Sequence, residues 1–381
     1  MNDLIYCDQA ATSFPKPPEV IEAVAAALGR ISASPGRSAH RLSLAAARVV
    51  FEAREAVAEL LGVEDSSRII FTLNVTHALN LALGGLLRPG DHVLTTSLEH
   101  NSVMRPLTWL GRTRGVEVEA MPLNAEGVIE PGEFSKKIKP QTRLAVVNHA
   151  SNVTGAICPL KEIKAVLGNI PLLVDAAQSA GAIPLSRDQG PDMIAFTGHK
   201  GLLGPTGTGG LWVSPGLDPA PLVRGGTGSG SELEEQPGFM PDKLEAGTPN
   251  THGLAGLAAG IRFVLDIGPE KIRDHEMNLT RRFLYGLSGI PGAVVYGPSD
   301  PARRVAVISL NLRGWSPSDL AHALDREFGI MTRAGLHCAP RAHRALGTFT
   351  RGAVRFSFGW SNSEAEVDRV LAALDRLSRR E

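Results

Sequence analysis

Residues 171–210, PLLVDAAQSAGAIPLSRDQGPDMIAFTGHKGLLGPTGTGG, decide the fold of this chain. The first apolar run of this stretch ends on Asp175, with Gln178 three residues later, and the second run ends at Thr197-Gly198-His199-Lys200. Short, continuous apolar runs are typical of parallel strands that are buried on both faces. Because open α/β sheets bind ligands at the carboxyl ends of such strands, the sequence predicts one crevice that contains Asp175 and Lys200.

An acid and a lysine at neighbouring strand ends are consistent with two roles. A lysine forms the Schiff base with pyridoxal phosphate (PLP), and a carboxylate keeps the pyridine nitrogen protonated so that the ring accepts electrons. A buried ion pair between Asp175 and Lys200 that only closes the sheet explains the same two residues. These residues alone leave both interpretations open.

Composition restricts the class of protein. A chain of 381 residues is too long for one compact core, so two domains are expected. Acidic and basic residues balance at 39 each, and aromatic residues make up only 5% of the chain. This balance predicts no binding to nucleic acid or to an anionic membrane surface.

Location and metal content also follow from the sequence as expectations. The N-terminus has no basic region followed by an apolar region, and no apolar run approaches the ~20 residues of a membrane span. The three cysteines are widely separated, which argues against disulfides and against a thiolate metal site. The sequence therefore predicts a soluble protein of the reducing cytoplasm without a metal ion.

Strands and helices alternate through the first two thirds of the chain. After a short strand at 4–6, the predicted strands are 68–72, 92–95, 116–120, 144–147, 171–174, 193–196 and 210–213. This alternation predicts a mostly parallel sheet of seven strands with helices on both faces. The C-terminal third has helices at 271–288, 317–328 and 364–378 and strands at 293–296, 304–312 and 353–358. We expect a large α/β domain at 15–265 and a smaller α+β domain at 266–381 that includes residues 1–14.

A turn after the strand at 68–72 provides a candidate anion site. Asn74-Val75-Thr76 leads into a helix, and the unpaired N–H groups and dipole of a helix N-terminus favour phosphate. The chain contains neither GxGxxG nor GxxxxGK[ST] at this turn. That absence disfavours dinucleotides and nucleoside triphosphates as ligands.

Seven short blocks in a fixed order carry a resemblance that covers nearly the whole chain. They are Asp8–Pro15 (DQAATSFP), Glu99-His100-Asn101, Ser151–Gly155 (SNVTG), Val174–Gln178 (VDAAQ), Thr197–Lys200 (TGHK), Gly247-Thr248-Pro249 and Arg333–Ala339 (RAGLHCA). Together they resemble the cysteine desulfurase/selenocysteine lyase group of the class V, PLP-dependent aminotransferase-fold enzymes. The resemblance implies the PLP-dependent transferase fold of type I.

The resemblance implies a role for each matching residue around the cofactor. Lys200 would form the Schiff base, Asp175 would pair with the pyridine nitrogen, and Gln178 would donate to the ring oxygen. His100 would stack on the ring, and Asn152 would lie near the ring oxygen and the substrate. The remaining residues would bind the phosphate, with Thr248 reaching the cofactor of the other subunit of a homodimer: Thr76, Thr197, His199 and Thr248.

Substrate binding and sulfur transfer would depend on the C-terminal third. Arg355 would bind the substrate carboxylate, since a guanidinium fork matches a carboxylate, and Arg333 would also contact the substrate. The resemblance also implies that Cys338 is the persulfide-forming nucleophile. Arg333, His337 and Arg341, which are near it in sequence, are groups that stabilise a thiolate.

Simpler interpretations exist for several of these residues. His100 is consistent with an ordinary residue at a helix N-terminus, and Arg355 with an exposed edge position of its strand. A free cysteine is usually a small buried apolar residue, which is how we interpret Cys7 and Cys158. Only the assembled set of blocks favours the catalytic roles.

The expected reaction converts L-cysteine to L-alanine and transfers sulfur to Cys338, for later delivery to an acceptor protein. Alternatives are a selenocysteine lyase acting on L-selenocysteine, another class V enzyme such as an aminotransferase, and a PLP-free scaffold that binds sulfur-relay partners. Gln9 and Ser34 stand where Asn is usual in the family, and the loop at 225–232 also differs. These departures concern substrate positioning and access rather than cofactor binding.

Overall fold

The computed structural model describes residues 4–36 and 38–380. Residues 1–3, Arg37 and Glu381 lie outside this description, and with them the predicted domain ends at 1–3 and at 381. The strands of the described chain are β1 (Ile5–Tyr6), β2 (Ile69–Thr72), β3 (His92–Thr96), β4 (Glu117–Met121), β5 (Thr142–Asn148), β6 (Leu172–Asp175), β7 (Met193–Thr197), β8 (Gly209–Val213), β9 (Ala293–Tyr296), β10 (Val307–Leu312), β11 (Ile330–Met331), β12 (Arg333–Gly335) and β13 (Ala353–Ser357).

In the described chain, α-helices lie between successive strands from β1 to β6, whereas β6, β7 and β8 follow one another without an α-helix between them. The α-helices are α1 (Pro18–Arg30), α2 (Arg41–Leu61), α3 (Val75–Leu86), α4 (Asn101–Arg114), α5 (Gly132–Ser135), α6 (Leu160–Leu167), α7 (Thr251–Ile267), α8 (Pro269–Leu287), α9 (Pro317–Phe328), α10 (Pro340–Ala345) and α11 (Glu364–Ser378). In the described part of the chain, no helix combines the length and the apolar character needed to cross a membrane.

A seven-stranded sheet in the order β2-β8-β7-β6-β5-β3-β4 forms the centre of the molecule. The pairs β3–β4, β3–β5, β5–β6 and β6–β7 are parallel, whereas β8 runs antiparallel to both β7 and β2. Strands β6 and β7 are buried at every position, as the continuous apolar runs of the sequence predict. The predicted fold class, a mostly parallel seven-stranded sheet with helices, is confirmed.

A second, four-stranded sheet in the order β12-β13-β10-β9 lies in the C-terminal third. The N-terminal strand β1 pairs with β11, so the start of the chain joins this part of the molecule. Helix α11 packs there through the predicted apolar stripe, in which Val367, Val370, Leu374 and Leu377 are buried. The proposed division at residue 265, with residues 1–14 added to the smaller domain, stays a prediction that this layout supports.

The predicted strand at 304–312 begins only at Val307, because Arg304 turns inward. The Arg304 side chain is fully buried and donates to the carbonyl oxygens of Pro298 (2.8 Å), Thr154 (2.9 Å) and Val307 (2.9 Å). Thr154 follows β5, whereas Val307 begins β10, so one guanidinium joins the two sheets. The residues 304–306 therefore serve this connection and not the strand.

We expect the Arg304→Met variant to lose ~3 kcal/mol or more of unfolding free energy, because several buried carbonyl groups lose their donor. Urea denaturation followed by circular dichroism measures this loss. Arg303→Met is the matched control, since the described contact of the Arg303 side chain is an exposed ion pair with Glu126, and it should change stability by less than about 1 kcal/mol. Equal stability of the two variants would contradict the structural role of Arg304.

Candidate active site

Polar residues at the carboxyl ends of three adjacent parallel strands form the floor of the site. Asn148 at the end of β5 is opposite Asp175 at the end of β6, and Asp175 is opposite Ala195 of β7, two residues before Thr197. The predicted crevice therefore exists, and its position follows from the parallel pairing.

Two glycines allow the segments after β6 and β7 to touch. A Cβ atom on Gly201 would lie 2.5 Å from the carbonyl oxygen of Ala180, and one on Gly181 would lie 2.3 Å from the carbonyl oxygen of Gly201. Gly181 also has φ +82°, a conformation that residues with side chains rarely adopt. Gln178 and Lys200, which lie on these two segments, line the same cavity.

Asp175 is almost fully buried at the base of the crevice. Its Oδ1 accepts from the Ala177 N–H at 3.0 Å, and its Oδ2 accepts from the Ser102 hydroxyl at 3.4 Å. Burial raises the pKa of Asp175, while the Ala177 N–H and nearby Lys200 oppose this shift. A positively charged ligand atom beside this carboxyl would favour its ionised form.

His100 acts as the N-cap of α4, which agrees with the simpler interpretation of this residue. Its Nδ1 accepts from the Ser102 N–H at 3.0 Å. Burial, and then the charges of Lys200, Arg333 and Arg355, lower the pKa of His100 to about 4. The ring is therefore neutral at pH 7, and it lies close to the cationic groups of the crevice.

Lys200 follows β7 directly and has an unusual amine. Burial, together with nearby Arg355, lowers the pKa of Lys200 to about 8, and Asp175 opposes this shift. A fraction of the amine is thus neutral at physiological pH. Only a neutral amine forms a Schiff base with an aldehyde, so Lys200 has the chemistry that the sequence predicts for it.

Arg355 lies inside the small sheet and not at an exposed edge. Strand β13 is flanked by β12 and β10, and only 1% of the Arg355 surface is exposed. Its Nη2 pairs with Asp8 at 2.7 Å, and its Nη1 donates to the carbonyl oxygen of Asn152 at 3.1 Å. The simpler interpretation of Arg355 is therefore wrong, because its charge is buried and paired at the crevice.

The loop that carries Cys338 is bound to the opposite wall of the crevice. The amide of Asn152 donates to the His337 carbonyl oxygen at 2.7 Å, and the Asn101 N–H donates to the Cys338 carbonyl oxygen at 2.8 Å. Cys338 is exposed, whereas Cys7 and Cys158 are buried. Asn152 thus contacts both the loop of Cys338 and Arg355.

Of the three groups expected near the Cys338 sulfur, Arg333 alone has a described hydrogen bond to it. Its Nη2 lies 3.8 Å from Sγ. The expectation for His337 is wrong, because its Nε2 bonds to the Arg333 carbonyl oxygen and its Nδ1 faces His343. Burial also lowers the pKa of His337 to about 3, so the ring carries no charge at pH 7.

The four residues expected to bind phosphate lie at three different places in the structure. Thr197 Oγ1 and His199 Nδ1 are buried without a hydrogen-bond partner in the described chain. Thr76 is exposed in the first turn of α3, whose first N–H groups have no partner within the helix. Thr248 is exposed and lines a different cavity, together with Thr72 and His77, in which Lys200 takes no part.

The unpartnered polar atoms of the crevice fit a phosphorylated pyridine. Thr197 and His199 offer donors to a phosphate, while Asn152 Oδ1 and Arg355 Nε are also buried without a partner. Buried polar atoms normally have partners, so unpaired ones that converge on one crevice indicate a polar ligand. Asp175 and Lys200 supply the carboxylate and amine that PLP requires.

Gln178, an expected site residue, and Gln9, a departure from the family pattern, also hold parts of the protein together. The Gln178 amide donates to the Ala10 carbonyl oxygen at 3.0 Å. The Gln9 amide donates to the Phe14 carbonyl oxygen at 2.7 Å, and its oxygen accepts from the Phe14 N–H at 3.0 Å. Gln9 therefore stabilises a local turn, which gives its departure from the family pattern a structural role.

Sequence reasoning missed two residues of the site, Asp8 and Ser102. Asp8 neutralises Arg355, and Ser102 contacts both Asp175 and His100. Asp8 belongs to the first of the seven blocks, so an unpaired acid in that block was an available signal. Ser102 had no such signal, because its contact with Asp175 joins residues 73 positions apart.

Within residues 4–36 and 38–380, no group of three or more His, Cys, Asp or Glu side chains could hold a metal ion.

The family model for aminotransferase class-V matches residues 5–370. The chain belongs to the aminotransferase class-V family. The family predicted from the seven sequence blocks is thereby confirmed.

Other members of the aminotransferase class-V family resemble this chain over nearly its whole length. It is 37% identical to a probable cysteine desulfurase of Methanothermobacter thermautotrophicus, across 99% of this chain and 96% of the relative. It is 32% identical to a cysteine desulfurase of Pectobacterium atrosepticum, across 99% of this chain and 93% of the relative. The apo structure of a cysteine desulfurase from Thermococcus onnurineus NA1 superposes with a TM-score of 0.92 at 35% identity, covering 99% of this chain and 95% of that chain.

Proposed function

We propose that this protein is a PLP-dependent cysteine desulfurase that converts L-cysteine to L-alanine and transfers the sulfur to Cys338. The observation that carries this proposal is the convergence of Lys200, Asp175 and the Cys338 loop on one crevice. The relatives and the structural neighbours named cysteine desulfurase support it.

The residues of the crevice would hold PLP from several sides. We propose that Lys200 binds it covalently, Asp175 contacts the pyridine nitrogen, and His100 lies against the ring. Gln178 and Asn152 would contact the ring oxygen, and the phosphate would be bound by Thr76, Thr197 and His199. When bound, PLP supplies an electron sink for charge that develops on the substrate α-carbon.

Lys200 would remove the proton from the substrate α-carbon, because its lowered pKa of about 8 makes it a base near neutral pH. Arg355, with Arg333, would bind the substrate carboxylate. The Arg355 Nε has no partner in the described chain, and its Nη2 contact with Asp8 fixes the orientation of the fork. Asn152 lies between Arg355 and the Cys338 loop and would position the substrate between them.

Cys338 would attack the sulfur of the substrate. A bond forms between Cys338 Sγ and that sulfur as the bond between the sulfur and the substrate β-carbon breaks. One sulfur atom therefore moves to the enzyme, and the carbon skeleton leaves as alanine. Arg333 beside Sγ places a positive charge where a thiolate needs it. An acceptor protein or a reductant would then take the sulfur from the exposed loop.

A homodimer with shared sites completes this proposal. Thr248 does not line the crevice of its own chain, so we infer that it serves the cofactor of a partner subunit. Large apolar side chains are also exposed on α1 and α2, among them Ile21 (62%), Leu44 (61%) and Phe51 (58%). Helices α1 and α2 both pack against α7, and large apolar side chains left exposed on them favour an interface. Three free cysteines further support a reducing compartment, and we propose the cytoplasm.

A product assay tests the proposed reaction. Purified protein loaded with PLP should convert L-cysteine, in the presence of a reductant, to equal amounts of alanine and sulfide. Alanine and selenide from L-selenocysteine with no product from cysteine would indicate a selenocysteine lyase. Amino-group transfer without sulfide would indicate an aminotransferase. Absence of the yellow cofactor band and of any product would indicate a non-catalytic scaffold.

We expect the capture of PLP by cofactor-free protein to accelerate with pH up to about 8 and then to level off. Below a pKa of about 8 the neutral fraction of Lys200 rises roughly tenfold per pH unit. Stopped-flow measurement of the yellow band from pH 6 to pH 10 tests this. Lys16 has a pKa lowered by burial to about 8 as well, so Lys16→Arg is the control and should keep the profile. A flat profile would contradict capture by Lys200.

A further inference from the structure

The loop that carries Cys338 has a backbone conformation that needs external support. His337 has φ 51° and Cys338 has φ 56°, so two consecutive residues with side chains are left-handed. Residues with side chains are uncommon in this region, although asparagine, aspartate and histidine enter it more often than the others, and they do so mostly as single residues. Contacts around the loop must therefore hold it in place.

The crevice side of the loop is held through its carbonyl groups. The His337 carbonyl oxygen accepts from the Asn152 amide at 2.7 Å, and the Cys338 carbonyl oxygen accepts from the Asn101 N–H at 2.8 Å. These contacts leave Cys338 Sγ exposed beside Arg333, at 3.8 Å from its Nη2. The left-handed turn thus determines where the sulfur lies.

The opposite side of the loop rests on a buried chain of three side chains, His337, His343 and Thr348. His337 Nδ1 lies 3.3 Å from His343 Nε2, and His343 Nδ1 lies 2.8 Å from Thr348 Oγ1. The exposed fractions of the three residues are 3%, 0% and 5%. His337 Nε2 in turn lies 3.1 Å from the carbonyl oxygen of Arg333.

The chemistry of each atom fixes the direction of this chain. A carbonyl oxygen only accepts, so His337 Nε2 carries a hydrogen, and Nδ1 of the neutral ring accepts. His343 Nε2 must then donate to His337, which leaves His343 Nδ1 to accept from the Thr348 hydroxyl. That hydroxyl is 3.4 Å from the His343 carbonyl oxygen, a longer alternative to the 2.8 Å contact with Nδ1. The donors therefore run from Thr348 through both rings to Arg333.

Both rings are neutral at the pH of the cell. Burial lowers the pKa of His337 to about 3, with Arg355 adding to the shift, and burial lowers the pKa of His343 to about 4. A neutral imidazole carries one hydrogen on its two ring nitrogens, so each ring accepts one hydrogen bond and donates the next, in the direction from Thr348 to Arg333. Every ring nitrogen then has one partner.

We propose that His343 is a positioning residue for Cys338: its Nε2–H, donated to His337, maintains the left-handed loop that places the Cys338 sulfur at the crevice beside Arg333. This inference rests on the proposed role of Cys338 as the nucleophile. His343 itself touches neither substrate nor cofactor, because it is fully buried behind the loop.

Substitutions of His343 separate the donor from the volume of the side chain. Gln places an N–H at the distance of Nε2 and can reach His337, whereas Asn reaches only toward Thr348 and Phe offers no polar atom. We expect His343→Asn and His343→Phe to slow both the alkylation of Cys338 by iodoacetamide and the release of alanine in a single turnover without reductant. If the Cys338 sulfur is misplaced by about 1 Å, the rate of alanine release should fall on the order of 10²-fold. His343→Gln should remain within a fewfold of the parent protein.

The spectral change of the cofactor band on addition of cysteine should keep its concentration dependence in all three variants, since substrate binding does not involve the sulfur of Cys338. Iodoacetamide reports on Cys338 because Cys7 and Cys158 are buried. Thr348→Val is the second variant in case the His343 variants fail to fold. It removes the donor to Nδ1 and should slow alkylation severalfold. His322→Asn on α9, an exposed position, is the matched control and should change nothing.

Parent-like alkylation in His343→Asn or in Thr348→Val would overturn the inference. Equal losses in the Gln, Asn and Phe variants would also overturn it, because they would indicate a role in packing only. The Cys338→Ala variant, assayed in parallel, tests the proposed function separately. Sulfide release by Cys338→Ala at the parent rate would refute the nucleophile, whereas the alkylation rates would still report on the loop.

Discussion

The Lys200→Ala variant should lose cysteine turnover by on the order of 10²–10⁴-fold, the usual contribution of a general base. Lys200 is the only amine described beside Asp175, and its pKa of about 8 makes it able both to bind an aldehyde and to accept a proton. Removal of the amine eliminates both functions. The purified variant should also lose the yellow band of the covalently bound cofactor. Steady-state release of alanine and an absorbance spectrum measure the two effects.

The Lys200→Arg variant is the matched control for charge. A guanidinium keeps a positive charge near Asp175 but stays protonated, so this variant should be as inactive as Lys200→Ala while folding normally. Lys16→Arg should stay active, because Lys16 lines the same cavity as Lys200 but only donates to the Ser13 hydroxyl and the His199 carbonyl oxygen, and an arginine also donates. A Lys200→Ala protein that retains the band and turns over cysteine would refute the proposed cofactor site.

The Cys338→Ala variant should keep the yellow cofactor but lose sulfide release from cysteine by on the order of 10²-fold or more, as expected for loss of a positioned nucleophile. The sulfur lies on a loop held by Asn152 and Asn101, and Arg333 is the cation described beside it. Without Sγ, the substrate sulfur has no acceptor. Sulfide and alanine assays on equal amounts of cofactor-loaded protein measure the loss.

The Cys158→Ala variant is the control, since Cys158 is buried and lies 3.9 Å from the Asn148 oxygen. It should produce sulfide like the parent protein. Cleavage of selenocysteine should persist in Cys338→Ala, because selenium leaves more readily than sulfur. Full sulfide production by Cys338→Ala would show that another group accepts the sulfur.

The sequence was sufficient to predict the seven-stranded sheet, because the patterns that define its strands are local in the sequence. Apolar runs that end on Asp175 and Thr197 define buried strands, and parallel pairing alone brings their ends together. The short strands β11 and β12 were not predicted, because their pairing depends on other segments of the chain: β11 pairs with β1, and β12 pairs with β13. The six-residue helix α10 was not predicted either. The residues of these three elements carry no periodic pattern of their own.

The charges of the site were the least predictable part. Arg355 alternates with apolar residues and therefore matched an exposed edge, yet the arrangement of four strands buries it against Asp8. His337 lies next to Cys338 in sequence, but its ring turns away to His343 and stays neutral. The sequence thus correctly placed His337 next to Cys338, but it did not predict that the His337 ring points away from the sulfur.

The sequence by itself determined the strands of the seven-stranded sheet and the family, and it supplied the candidate residues for the chemistry, because these depend on residue type and spacing. The tertiary structure alone decided which of these residues are buried, paired or neutral. The physical reason is that pKa values, the pairing of buried charges and the direction of a hydrogen-bond chain depend on atoms brought together from distant segments, as Asp8 and Arg355 are.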